Sequence, residues 1–321
     1  MILASIDIGT NTLRLLVVEY RDQKWKELFS DRQVTRLGEG FLKSRTLTLS
    51  AVERTLSALI SFRQSLRQFS CDHILWVATS AVREAENKKD FIERVKEELD
   101  LDIEVISGEE EARLTYLGIR YGLPVSNDYQ MMVDIGGGST EWILGHHRTL
   151  LSKKSTPFGV VFLTEKYFFS DPPSSFELIQ MKKKVREYFA EVKGEFKEVL
   201  EKNPSVTWVG TAGTVTTLAA MAQGLEAYSF EKVHRFELTQ ETVSGLFQAL
   251  ISKTKDERKK IKGLEAGRED IIVAGAFIVL EMMMFFNFNR MVVSDYGLRE
   301  GIILNMIDQI SKNRKLSSRT K

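Results

Sequence analysis

The chain has one cysteine, Cys71, so it can form neither an intramolecular disulfide nor a cysteine-based zinc site. It also lacks a long apolar run. The longest, Ile271 to Phe286, is interrupted by Glu281 and falls short of the roughly 20 residues that cross a bilayer, so a buried helix is expected there and no membrane partner. The opening Met-Ile-Leu-Ala places no basic stretch ahead of an apolar one; no secretory leader is expected, and the cytoplasm is the expected compartment. Charge of one sign is not in excess either: 45 Lys and Arg face 44 Asp and Glu, for a formal net charge of +1. That balance excludes a generic coat for nucleic acid polymers, and any polyanion must be met by a local patch. What is present is a 321-residue chain with 43% hydrophobic content, enough for a large core and, at this length, two domains.

The most informative stretch is Val133-Asp134-Ile135-Gly136-Gly137-Gly138-Ser139-Thr140-Glu141. An apolar strand end carrying an acid runs into three glycines, whose missing Cβ atoms let backbone N–H groups approach a polyanion. Asp134 beside that turn can hold a divalent cation that neutralises phosphate oxygens. The pattern occurs once earlier, in Ser5-Ile6-Asp7-Ile8-Gly9-Thr10-Asn11-Thr12. Both turns lead back into β-rich sequence, so both are expected to be hairpins. Hairpin geometry alone requires no carboxylate on the apolar strand.

In chain order, the Asp7 hairpin is followed by an expected third strand around Val34 to Leu37 and a helix from about Ser50, with Ser50 as cap and Glu53 at the capping-box position. A buried strand from His73 to Thr79, a helix from Lys89 to Leu99 and a strand from Ile103 to Ile106 come next. Strands alternating with helices imply a mainly parallel sheet that binds ligand beyond its strand ends. The later landmarks repeat the earlier ones: the Asp134 hairpin matches the Asp7 hairpin, Thr207 to Thr214 matches Leu75 to Val82, and Met291 to Gly297 matches Ile103 to Gly108. The same order twice indicates a duplicated fold with two halves facing across a cleft. The junction is expected at Tyr121 to Asp128, rich in Gly, Pro, Ser and Asn.

Together SIDIGTNTLRLLV, ATSAVREA, VISGEEEARLTYLGI, VDIGGGSTE, GTAGTVTTLA and VSDYGLREGI resemble the motifs of the exopolyphosphatase and guanosine pentaphosphate phosphohydrolase family. The resemblance runs from Ile6 to about Ile307 and is to the short, two-domain form without the further C-terminal domain of longer relatives. It implies an α/β fold of two duplicated ribonuclease-H-like (actin-like ATPase) domains with an interdomain cleft. The expected domains are 1–124, joined by a C-terminal helix at about 298–321, and 125–297. Superfamily resemblance is also compatible with a homodimer.

The resemblance implies hydrolysis of a terminal phosphoanhydride. Among Glu109, Glu110 and Glu111, the first suits the positive end of a helix dipole and the second the capping-box position after Ser107, whereas Glu111 has no such local task. The family's catalytic glutamate also precedes an Ala-Arg or Gly-Arg pair, here Ala112-Arg113, which makes Glu111 the expected general base. Gly9, Thr10, Asn11 and Thr12, with Gly136, Gly137, Gly138 and Ser139, would hold the end phosphate. Arg83, a helix-surface arginine by position, resembles a family arginine that faces the phosphate chain. Gly213 and Thr214 belong to the equivalent turn of the second half, where further phosphates or a nucleoside would lie. Asp134 and Glu141 are the candidates for holding Mg2+, with Asp7 the weaker one, since Mg2+ takes few carboxylates and keeps waters. The expected substrate is inorganic polyphosphate. Guanosine pentaphosphate is the sibling alternative, a small-molecule kinase a second, and a non-catalytic polyphosphate or alarmone sensor a third.

Other features carry less. His146 and His147 sit at a hairpin tip and point apart, which suits no metal. His234, in the basic cluster Lys232 to Arg235, could meet distal phosphates or decorate a loop. The runs Lys182 to Arg186 and Lys253 to Lys262 read as solvated helix faces, and Met282 to Met284 as core.

Overall fold

A strand buried on both faces must be apolar along its whole length, and Ile2–Ile8 (β1) meets that demand apart from Ser5 and Asp7. In the computed structural model, which describes residues 1–203 and 205–319 with side chains to residue 313, β1 is the middle strand of a five-stranded sheet. Its neighbours are Thr12–Arg21 (β2), Lys24–Val34 (β3), His73–Ala78 (β4) and Ile103–Val105 (β5), in the order β3-β2-β1-β4-β5. The pairs β1–β2 and β2–β3 are antiparallel, and β1–β4 and β4–β5 are parallel. The sheet is therefore mixed rather than mainly parallel.

A second sheet repeats the plan. Tyr129–Ile135 (β6), Thr140–His146 (β7), Thr149–Thr156 (β8), Val206–Thr211 (β9), Glu237–Thr239 (β10) and Arg290–Val293 (β11) are ordered β8-β7-β6-β9-β11-β10. Here too an antiparallel hairpin is extended by an antiparallel third strand on one side and by parallel strands on the other. The second sheet adds β10, antiparallel to β11. Duplication is thus visible as topology, and β1 and β6 are equivalent strands.

The chain divides into one unit of residues 1–41, 45–121 and 296–321 and another of residues 42–44 and 122–295. In the first, helix Leu298–Arg319 covers the sheet; Ile302, Ile303 and Met306 pack with Leu3, Leu16, Val77 and Leu114. Thr320 and Lys321, placed by the sequence in the same helix, lie outside the described residues. In the second, helix Ile272–Phe286 is buried from Ile272 to Met283, as expected for a helix apolar on every side. Its one acid, Glu281, receives Lys182 at 2.7 Å and Arg186 at 2.8 Å, so that basic run is only partly a solvated face. Among the described residues no helix is long and apolar enough to cross a membrane.

Two local expectations shift. The third strand is β3, which ends at Val34, because residues 35–38 turn back to bind the first hairpin: the amides of Thr35 and Arg36 donate to the Asn11 carbonyl and that of Gly38 to Thr10. Helix Leu49–Leu66 is capped by Thr48 rather than Ser50, its hydroxyl accepting from Ala51 N–H. Ser107 caps helix Gly108–Gly122 as expected, and the Glu110 carboxylate also accepts two hydrogen bonds from Arg113, of 2.8 and 2.7 Å.

That helix meets Leu298–Arg319 backbone to backbone. A Cβ on Gly118 would overlap the Gly297 carbonyl, and one on Gly301 the Leu114 carbonyl. Gly301→Ala is therefore expected to destabilise the protein by at least the ~1–3 kcal/mol of an overpacked core. Gly245→Ala, in helix Gln240–Ile251 with nothing within 4 Å of the added methyl, should stabilise it by up to ~1 kcal/mol. Thermal midpoints that move down for the first and up for the second check both.

Candidate active site

In each unit the candidate side chains lie where its strands end. In the first unit β4 passes into the short helix Ser80–Glu84 and β5 into Gly108–Gly122, and adjacent strands bring these two helix starts together. Glu111, in the first turn of the second helix, is 8% exposed. Arg83 reaches it: Nη1 donates to Glu111 Oε2 at 2.8 Å and to the Ile106 carbonyl at 3.1 Å, while Nε faces Glu84 at 3.3 Å. The structure therefore places Arg83 against the candidate base. A guanidinium held at two fixed acceptors orients the carboxylate it grips.

Beside this pair the first hairpin turns at Gly9. Its amide donates to Thr12 O at 3.2 Å, and a Cβ there would stand 2.8 Å from that oxygen. Thr10, Asn11 and Thr12 are all buried, and the Thr10 and Asn11 carbonyls are occupied by residues 35–38.

The second unit builds its turn differently. The Gly136 amide donates to Ser139 O at 3.1 Å, and the Gly136 and Gly137 carbonyls accept from Val160 and Val161 at 3.0 and 2.9 Å, the first amides of helix Val160–Tyr167. Gly159 allows this, because a Cβ there would overlap the Gly137 peptide. Among the glycines, left-handed φ is found at Gly40, Gly224, Gly263 and Gly267 and not in this turn; Gly136, where a Cβ would stand 3.1 Å from Ser139 O, serves close approach rather than an unusual backbone angle. Next to it, Thr214 Oγ1 donates to Ile135 O at 2.9 Å.

The two strand-end acids are not equivalent. Asp7 is paired in register with Arg14 on β2, whereas Asp134 is paired with Glu141 on β7. Directly opposed residues of an antiparallel pair point to one face, and like charges there repel. Asp134 is 8% exposed and Glu141 1%, with Ser155 Oγ donating to Glu141 Oε1 at 2.8 Å. Two hard oxygen donors on one face suit Mg2+, which takes one or two carboxylates and completes its shell with water and phosphate. The residues fit such an ion. Asp7 has Arg14 as its register partner instead, and among the described residues no three of His, Cys, Asp and Glu cluster to form a dedicated metal cage.

Sequence reasoning missed two features of the Thr211–Thr214 turn. Ala212 has φ 66°, a left-handed angle that costs a residue with Cβ ~1–2 kcal/mol. Arg268, 5% exposed and held by Glu265 at 2.8 Å, lies directly on Gly213; a Cβ there would overlap its guanidinium. The available signal was Gly213 itself, a position with no room for a side chain. The histidines take other roles: His146 stacks on Tyr129, His147 is exposed, and His234 binds backbone.

Comparison with known proteins gives the family. The sequence profile of the Ppx/GppA phosphatase family matches residues 16–310. The chain is 33% identical to a bifunctional 3-dehydroquinate synthase/phosphatase of Fusobacterium nucleatum over 95% of its own length but spans only 46% of that relative. It is 31% identical to exopolyphosphatase 2 of Mycobacterium tuberculosis, covering 94% of this chain and 98% of that protein. The crystal structure of the Aquifex aeolicus Ppx/GppA family member superposes with a TM-score of 0.79 at 33% identity, covering 96% of this chain and 98% of that one. With its duplicated actin-like α/β units and strand-end acids, the chain is an enzyme of the Ppx/GppA phosphatase family.

Proposed function

We propose that the protein is an exopolyphosphatase, releasing orthophosphate from the end of inorganic polyphosphate. The observation that carries this reading is the buried Glu111 gripped by Arg83 at the end of the parallel strands, beside a tight glycine turn. A carboxylate so placed accepts the proton of a water as the water oxygen bonds to the terminal phosphorus. The bridging P–O bond breaks, and its electron pair leaves on the shortened chain. Phosphoryl transfer asks mainly for positioning and charge stabilisation, which backbone amides at residues 10–12 and 137–139 are suited to give, those of Gly9 and Gly136 being spent within their own turns. Arg83 acts as a positioning residue for Glu111. Asp134 and Glu141 would hold Mg2+, which when bound supplies charge neutralisation at phosphate oxygens. The exopolyphosphatase relative supports the substrate class.

Phosphate release from long-chain polyphosphate and from guanosine pentaphosphate, measured side by side, tests the reading. Polyphosphate is expected to be the better substrate by kcat/KM, and a preference for the nucleotide would reassign the enzyme to the sibling activity. Glu111→Gln keeps the shape and removes the basicity, so it should lower kcat by about 10²–10⁴ with little change in KM. Substrate binding without release by the wild type would reject hydrolysis in favour of a sensor. Asp134→Asn should weaken Mg2+ binding in calorimetry while leaving the circular dichroism spectrum unchanged; unaltered Mg2+ affinity would remove Asp134 from the cation site.

A further inference from the structure

The chain leaves the first unit after Tyr121 and returns to it at Tyr296, and the residues just inside the second unit, Gly122 and Asp295, are both bound by one imidazole. Nε2 of His234 lies 2.9 Å from the Gly122 carbonyl oxygen, and the Asp295 amide lies 3.3 Å from Nδ1. A carbonyl can only accept and an amide N–H can only donate. Both bonds are therefore met by a single form of the ring, neutral with the proton on Nε2. Protonation places a second N–H on Nδ1, facing the Asp295 N–H, and that bond is lost.

The ring has little freedom to turn away. His234 follows the short helix Phe230–Val233, its amide donates to the Phe230 carbonyl at 2.8 Å, and the Phe230 ring stacks on it at 5.0 Å. The next residue is tied to the end of β11: the Arg235 amide donates to the Val293 carbonyl at 2.7 Å, and that of Val293 to Phe236 at 2.9 Å. The charged and titratable groups around the ring are Arg235, whose Nη2 also donates to the Gly122 carbonyl at 3.0 Å, and Asp295, whose carboxylate accepts from the Tyr228 hydroxyl at 2.5 Å.

We propose that His234 is an acid-sensitive latch that ties residue 122 to residue 295 when neutral and releases the 295–296 segment when protonated. Hinges are commonly a few loop or element-terminal residues at such passages, so a switchable tie there is a conformational control point. Burial pushes the imidazole below its ordinary value of 6.5, and Arg235 acts in the same sense, while the Gly122 carbonyl and the Asp295 carboxylate oppose it. With the folded value depressed, the latch contributes its full stability above 6.5 and loses it as pH falls through the lower folded value.

Amide hydrogen exchange read by NMR tests this on the full chain, with protection factors for Asp295 and Tyr296 and the His234 Cε1–H shift followed from about pH 8 to about pH 5. Protection of the Asp295 amide should fall by up to about tenfold per pH unit on the acid side, with the same midpoint as the ring titration. His234→Gln should show lower protection with no such pH dependence. A flat wild-type profile across the ring titration overturns the proposal, as does an identical acid-side fall in the variant. Should the variant not fold, the wild-type midpoints decide: coincidence supports the latch and clear separation overturns it.

Discussion

A carboxylate at the end of a buried central strand has to be answered by a countercharge, and the two sheets answer it differently. On β1 the cross-strand partner of Asp7 is Arg14; on β6 the partner of Asp134 is a second acid, Glu141. One duplicated topology thus sets its strand-end acid opposite a base in one sheet and opposite a second acid in the other. The division of labour argued for the site follows from that single difference in register partners.

The first unit solves another problem, that of fixing a charged side chain on the first turn of a helix. The helix bearing Glu111 is pinned further along, where Gly118, Gly297 and Gly301 let two backbones touch. At its start Arg83 grips the carboxylate and ties it to the Ile106 carbonyl at the end of the neighbouring strand. The candidate base is therefore positioned by backbone contact and a short polar chain.

Much of this was legible in the sequence because it rests on local chemistry. Acid-plus-glycine hairpins, the cap at Ser107 and the all-apolar helix around Glu281 are each written in a few consecutive residues. What was not legible depends on residues far apart in the chain. The 35–38 segment binds hairpin carbonyls instead of extending a strand, and the Thr48 cap precedes the expected Ser50 by two positions that no periodicity separates. Arg268 lies on Gly213 from 55 positions along the chain, and Arg83 turns to Glu111 across 28. His234, one member of a basic cluster by sequence, spends both ring nitrogens on backbone groups at residues 122 and 295.

The carbonyls of Gly136 and Gly137 are consumed by the first amides of helix Val160–Tyr167. A helix start is ordinarily a place where an anion docks, yet here its donors are spent on holding a neighbouring loop. The outline of the loop is thus set by bonds within the second unit itself, and a phosphate proposed to dock there would meet a turn whose ordering entropy was lost when the chain folded.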